Sequence, residues 1–156
     1  RAVFCFWPAI VLGERSELDN LLKVMWYIFY AALQNRACSE NGAILVVILK
    51  DHPTPGHNNG FLKFASSMMH LIFKAAPVNI RAVHDCAPPV PWFQLFAPIL
   101  KWYLGKRLRA RYWVHIERSH NQILSELESC GISNELVPTV LGGELDLVSY
   151  GKGWFK

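Results

Sequence analysis

The order of strand and helix patterns along this chain predicts an α/β fold, a largely parallel β-sheet with flanking helices. Three observations carry that expectation. Runs at residues 2–7, 43–49, 78–85 and 111–116 are short, apolar and rich in β-branched or aromatic residues, the composition of strands. Segments with helical periodicity or helix-start signals separate these runs and follow the last of them. The run at 43–49 is apolar without interruption, as expected of a strand covered on both faces. A βαβαβαβα order makes parallel pairing with right-handed crossovers the expected topology.

The elements follow in sequence. The first strand gathers Val3, Phe4, Phe6 and Trp7 and is closed by Pro8, which has no amide hydrogen for a ladder. Ser16, followed three residues later by Asp19, reads as a capping box that starts a long helix reaching about Arg36. After the second strand, residues 51–60 hold two Pro, two Gly and two Asn and read as a loop. A helix is expected over about 59–75, with Phe61, Phe64, Ala65, Met68 and Ile72 on one face. The third strand ends in Ala87, Pro88 and Pro89, and Pro91 then takes the favoured first position of a helix. Beyond the fourth strand, Ser119 and Gln122 form a second capping box. Ile123, Leu124 and Leu127 give the last helix its buried stripe, and Gly131 stops it.

At 156 residues the chain suits one domain, read as 1–147 with an irregular tail at 148–156. It starts at Arg1 and enters a strand at once, which reads as a piece of a longer protein. The hydrophobic fraction is 52% and the charged fraction 18%, with 13% aromatics. These lean to the apolar side of a soluble average. The longest apolar run, 24–33, suits a buried helix and falls short of the roughly 20 residues that cross a bilayer. The surplus apolar surface is therefore expected to line an interior or to touch a membrane from outside. The net charge of +4 is concentrated: Lys101, Lys106, Arg107, Arg109, Arg111 and Arg118 share a segment whose single acid is Glu117. Such a patch suits an anionic membrane or nucleic acid, or is a solvated helix end. Cys5, Cys38, Cys86 and Cys130 form no CxxC pair and follow no signal peptide, so reduced thiols and a cytoplasmic setting are expected.

Enzyme signatures are missing from this sequence. No GxGxxG or P-loop follows a strand, and Gly151 and Gly153 fall after all of them. His52, His57, His70 and His120 fall in loops or on helices without ligand spacing to a Cys or carboxylate. His84 and His115 lie within apolar strands. If those strands are neighbours, both imidazoles can point into one place, and convergence with Asp85 would favour chemistry. No Gly-x-Ser-x-Gly elbow is present, and Cys86 has no motif around it. No catalytic residue and no metal or organic cofactor is assigned.

The helix at 91–104 is apolar almost all round. Trp92, Phe93, Phe96, Ile99, Leu100 and Tyr103 form one stripe, Leu95 and Trp102 lie outside it, and Gln94, Ala97 and Lys101 remain for water. Such a helix is either buried on every side or lies between a cavity and a membrane. Pro98 in its middle removes one hydrogen bond and suits a hinge. Taken with what surrounds it, Pro77 to Asp85 before, the basic turn, strand and capped helix after, and the ending Val137, Pro138, Leu141, Gly142, Gly143, the order resembles the second half of the CRAL-TRIO lipid-binding domain. That family includes retinaldehyde, tocopherol and phosphatidylinositol carriers, and the resemblance covers nearly the whole chain.

The resemblance implies a sheet that floors an enclosed apolar lipid cavity, gated by the helix at 91–104. Its function would be non-catalytic binding, transfer or presentation of one hydrophobic lipid, by a monomer that touches membranes peripherally and binds no nucleic acid. The alternative is a protein-interaction or regulatory module on the same fold with a filled pocket. Pocket and gate fall to Val47, Phe64, Met68, Val83, Phe93, Phe96, Ile99, Leu100, Tyr103 and Val114. Headgroup or membrane contact falls to Trp92, Lys106, Arg107, Arg109 and Arg111. Phosphatidylinositol-handling members carry an acidic–basic pair where this chain has Val78 and Asn79, so a less polar ligand is expected here.

Overall fold

Four strands pair in parallel, in the order in which the chain makes them: β1 (Ala2–Phe6), β2 (Ala43–Ile48), β3 (Ile80–Ala87) and β4 (Tyr112–Ile116). The computed structural model describes residues 2–6, 18–49, 67–103, 106, 109–116, 119–147 and 149. Between the strands stand α1 (Leu18–Ala32), a short α2 (Arg36–Asn41), the helical segment α3 over 67–75, and α4 (Pro91–Tyr103). The helix α5 (His120–Ser129) and two 3-10 turns, Asn134–Leu136 and Thr139–Leu141, close the described fold. The capping box at Ser16, the loop at 51–60, Phe61, Phe64 and Ala65 of the third helix, and the tail beyond 149 lie outside the described residues.

Consecutive order with parallel pairing places crossovers of a single hand on one face of the sheet. The packing agrees. On that crossover face Phe4, Leu45, Val47, Val83 and Tyr112 meet Met25 and Phe29 of α1 and Met68, Leu71 and Ile72 of α3. The ring of Phe4 stands edge-on to Phe29 at 5.5 Å. Phe93 and Ala97 of α4 pack on Ala87 and Val114. The opposite face carries Ile44, Val46, Ile48, Ala82 and Cys86, covered by Ile123 and Leu127 of α5 with Ile132, Val137 and Leu141. Every residue of β2 is buried, as its uninterrupted apolar run requires of a strand between two layers.

Some boundaries differ from the sequence reading for local reasons. The long helix stops at Ala32, not Arg36: Leu33, Gln34 and Asn35 donate three residues back in a tightening turn. Asn35 then accepts from the amide of Ala37 at 2.9 Å, so its side chain starts a new helix where the old one would have continued. α3 ends in a π turn, Leu71–Ala75, closed by the Ala76 amide on the Leu71 carbonyl at 2.6 Å. β3 begins at Ile80, two residues late, and runs on to Ala87; Val78 is buried in the crossover-face core ahead of the ladder.

The ending at residues 137–143 has a plain steric basis. Gly142 holds φ +89° with a built Cβ 2.7 Å from that of His120, and a Cβ on Gly143 would strike the Val137 carbonyl. Only glycines let this turn close, with Leu145 donating to Val137 and Thr139 to Leu145, each at 3.0 Å. The turn is pinned against the first residue of α5.

Candidate functional site

Parallel register brings together the strand residues predicted to line a pocket. Val47 pairs with Asp85, and Asp85 with Val114; Val83 pairs with Leu45 and with Tyr112. Alternation along each strand puts Val47, Val83, Asp85, Tyr112 and Val114 on one face. Val47, Met68 and Val83 are buried in one cluster with Val114 against its edge, and Val114 also meets the patch under Phe93. Five of the predicted lining residues, from β2, α3, β3, β4 and α4, are thereby contiguous. Phe64 and the side chains of Phe96, Ile99, Leu100 and Tyr103 lie outside the described residues.

α4 faces two environments. Phe93 and Ala97 are buried, while Leu95 is 74% and Trp102 75% exposed. Pro98 lies inside the helix. Of the predicted headgroup residues, Lys106 is exposed and Arg111 half-buried, and Arg107 and the Trp92 side chain are outside the description. Arg109 has a structural task that its charge alone did not disclose: its Nε donates to the Lys101 carbonyl at 3.0 Å. It therefore caps the end of α4. Val78 is buried and Asn79 exposed, so of these two uncharged positions one belongs to the core.

The same face holds a polar pair. Asp85 is 6% exposed, and the Tyr112 hydroxyl donates to its Oδ2. Burial pushes the Asp85 carboxyl up to about 7, against the opposing pull of the Tyr112 hydrogen bond. Burial, the neighbouring carboxylate and that shared bond raise the Tyr112 phenol as well. Asp85 alternates with Val83 and Ala87 on the buried face of β3, and no sequence signal pairs it with Tyr112.

The far face holds the two strand histidines. His84 Nδ1 lies 2.9 Å from His115 Nε2, and His115 Nδ1 lies 2.7 Å from Glu126 Oε2. Gln122 donates to the other Glu126 oxygen at 2.9 Å, so its side chain reaches forward along α5 while its amide is capped by Ser119. A carboxylate only accepts, so with both rings neutral His115 carries its proton on Nδ1 and His84 on its own Nδ1. Burial, then the nearby His115, lowers His84 to about 4. Glu126 is held low: its burial is outweighed by the bonds from His115 and Gln122. Trp113 stacks on the His84 ring at 5.1 Å. The imidazoles converge, as adjacent strands allow, but Asp85 points through the opposite face. The arrangement is a satisfied core network ending at a surface acid, and no group of three or more metal-ligating side chains forms among the described residues.

No family model matches this chain, and the search of curated proteins found no match. No disulfide joins any of the four cysteines. Among the described residues no helix is long and apolar enough to cross a membrane.

Proposed function

We propose that this chain is a CRAL-TRIO-like lipid-binding domain, which holds one hydrophobic ligand between the crossover face of the sheet and the helices over it. The observation that carries this reading is the double-sided character of α4. Phe93 and Ala97 press on the Val114 patch, while Leu95 and Trp102 stand in solvent on the outer side. A helix that closes an apolar interior and also meets an apolar exterior would use both. A ligand beneath it gains about 0.8 kcal/mol per buried methylene, so a long acyl chain is worth on the order of 10 kcal/mol. Release into water is then slow, and exchange proceeds where the outer face of α4 rests on a membrane.

Val78 and Asn79 carry no charge, which favours sterols, tocopherol-like or retinoid-like molecules or neutral phospholipids over inositol phosphates. Organic extraction of the purified protein followed by mass spectrometry tests the proposal. A stoichiometric lipid supports it. Protein that carries none, and takes none up from liposomes, favours a regulatory or interaction module. The aromatic filling of this face by Phe4, Phe29 and Tyr112 is the feature on that second side.

A further inference from the structure

The crossover face is apolar except at one point. Asp85 stands between Val47 and Val114 in the ladder, with Val83 before it and Ala87 after it on the same face. Among the described residues Tyr112 is its hydrogen-bond partner, and no ion pair involves it. A carboxyl has room for about four hydrogen bonds, and Tyr112 supplies one. Burying such a group among aliphatic side chains is unfavourable unless its remaining capacity is used. A leucine or valine at this position would complete the face at no such cost. Asp85 also lies beside Val114 and two residues before Ala87, the patch on which Phe93 of α4 rests.

We infer that the Asp85–Tyr112 pair is a polar anchor for a lipid hydroxyl, with the apolar body of the ligand against Val47, Val83 and Val114. The inference rests on the lipid-binding reading above and names the ligand class for it: a long-chain alcohol or sterol-like molecule with one hydroxyl at its end. A hydroxyl is favoured over other head groups because it both donates and accepts. It can donate to Asp85 as a carboxylate and accept from Asp85 as an acid, and the carboxyl titrates close to neutral pH. A carbonyl serves only the acid and an ammonium only the carboxylate. Tyr112 spends its proton on Oδ2 and so keeps the carboxyl turned along the sheet, a positioning role.

The test compares 1-hexadecanol with 1-methoxyhexadecane, which keeps the oxygen and loses the donor, by quenching of tryptophan fluorescence and by native mass spectrometry. The intact protein should bind the alcohol at least about tenfold more tightly, the worth of one hydrogen bond to a buried carboxyl. Asp85→Leu should reduce that preference to less than about twofold while leaving the affinity for the ether unchanged or improved. Asp85→Asn, which keeps an acceptor and the shape, should retain part of the preference and serves if the leucine variant does not fold. Equal affinities for alcohol and ether in the intact protein would overturn the anchor while leaving lipid binding in place. A preference that survives Asp85→Leu would also overturn it. Binding of neither probe, with no extractable lipid, would remove the lipid reading and this inference together.

Discussion

His84 and Asp85 are neighbours in the chain and send their side chains through opposite faces of the sheet. His84 joins His115 and Glu126 beneath α5; Asp85 joins Tyr112 on the crossover side. One dipeptide thus places an ionisable group in each of the two cores, and burial shifts the two in opposite directions.

The consequence is a pair of opposed pH dependences. Asp85 is raised in the folded state, from 3.8 to about 7, so its contribution is fully present below pH 4 and is lost as pH rises towards 7. His84 is depressed, from 6.5 to about 4, so its contribution is present above pH 6.5 and is lost as pH falls towards 4. Each limb is on the order of 3–5 kcal/mol at most, and across pH 4–6.5 they largely cancel. Urea unfolding at several pH values should therefore show a nearly level stability for the intact protein over this window. Asp85→Asn should make stability rise with pH there, and His84→Leu should make it fall. Identical profiles for both variants would show that neither group titrates differently in the fold.

On α4, exposure and charge separate into distinct effects. Leu95→Ser with Trp102→Ser should leave thermal stability within about 0.5 kcal/mol, since both side chains are in solvent, yet weaken binding to anionic liposomes. Lys106→Ala alone should cost roughly fivefold in liposome affinity, about 1 kcal/mol for one cation near the surface. Arg109→Ala should lower both affinity and melting temperature, because it also uncaps the Lys101 carbonyl. The combined Lys106/Arg107/Arg109 alanine variant should lose about a hundredfold, and less in high salt. Liposome binding indifferent to all of these substitutions would take α4 and its basic neighbour out of membrane contact.

Gly142→Ala should destabilise the domain by about 2 kcal/mol, the usual range for a side chain forced into a left-handed position. The added methyl also meets His120 at the start of α5. Denaturant midpoints give the measurement, and a loss below about 0.5 kcal/mol would mean that the turn relaxes freely.

The strand pattern and the shared face of Val47, Val83 and Val114 were readable because period-two alternation and continuous apolar runs are dictated by burial. Pro91, Ser119 and Gly131 marked their element ends, Pro91 and Gly131 through backbone preference and Ser119 through its side-chain cap. The break at Ala32 was hidden, since the apolar periodicity of α1 gives no sign that the Asn35 side chain will capture the next turn. Pairings across the sheet were equally hidden: Asp85 with Tyr112 depends on the β3–β4 register, and Glu126 with His115 on where α5 settles. The role of Arg109 escaped for the same reason, because its partner is a backbone carbonyl eight residues earlier in the chain.

The unbroken β1-β2-β3-β4 order has a last consequence. A parallel sheet that reverses its winding splits open where the reversal occurs, and small charged molecules settle in that notch against helix ends and backbone amides. The four described strands wind one way, so no switch point falls between them, and on the lipid-binding reading proposed above the broad surfaces of the sheet carry the recognition. A guest on those surfaces meets side chains alone. Selection then turns on volume and outline, with a single polar contact to set which end faces which way.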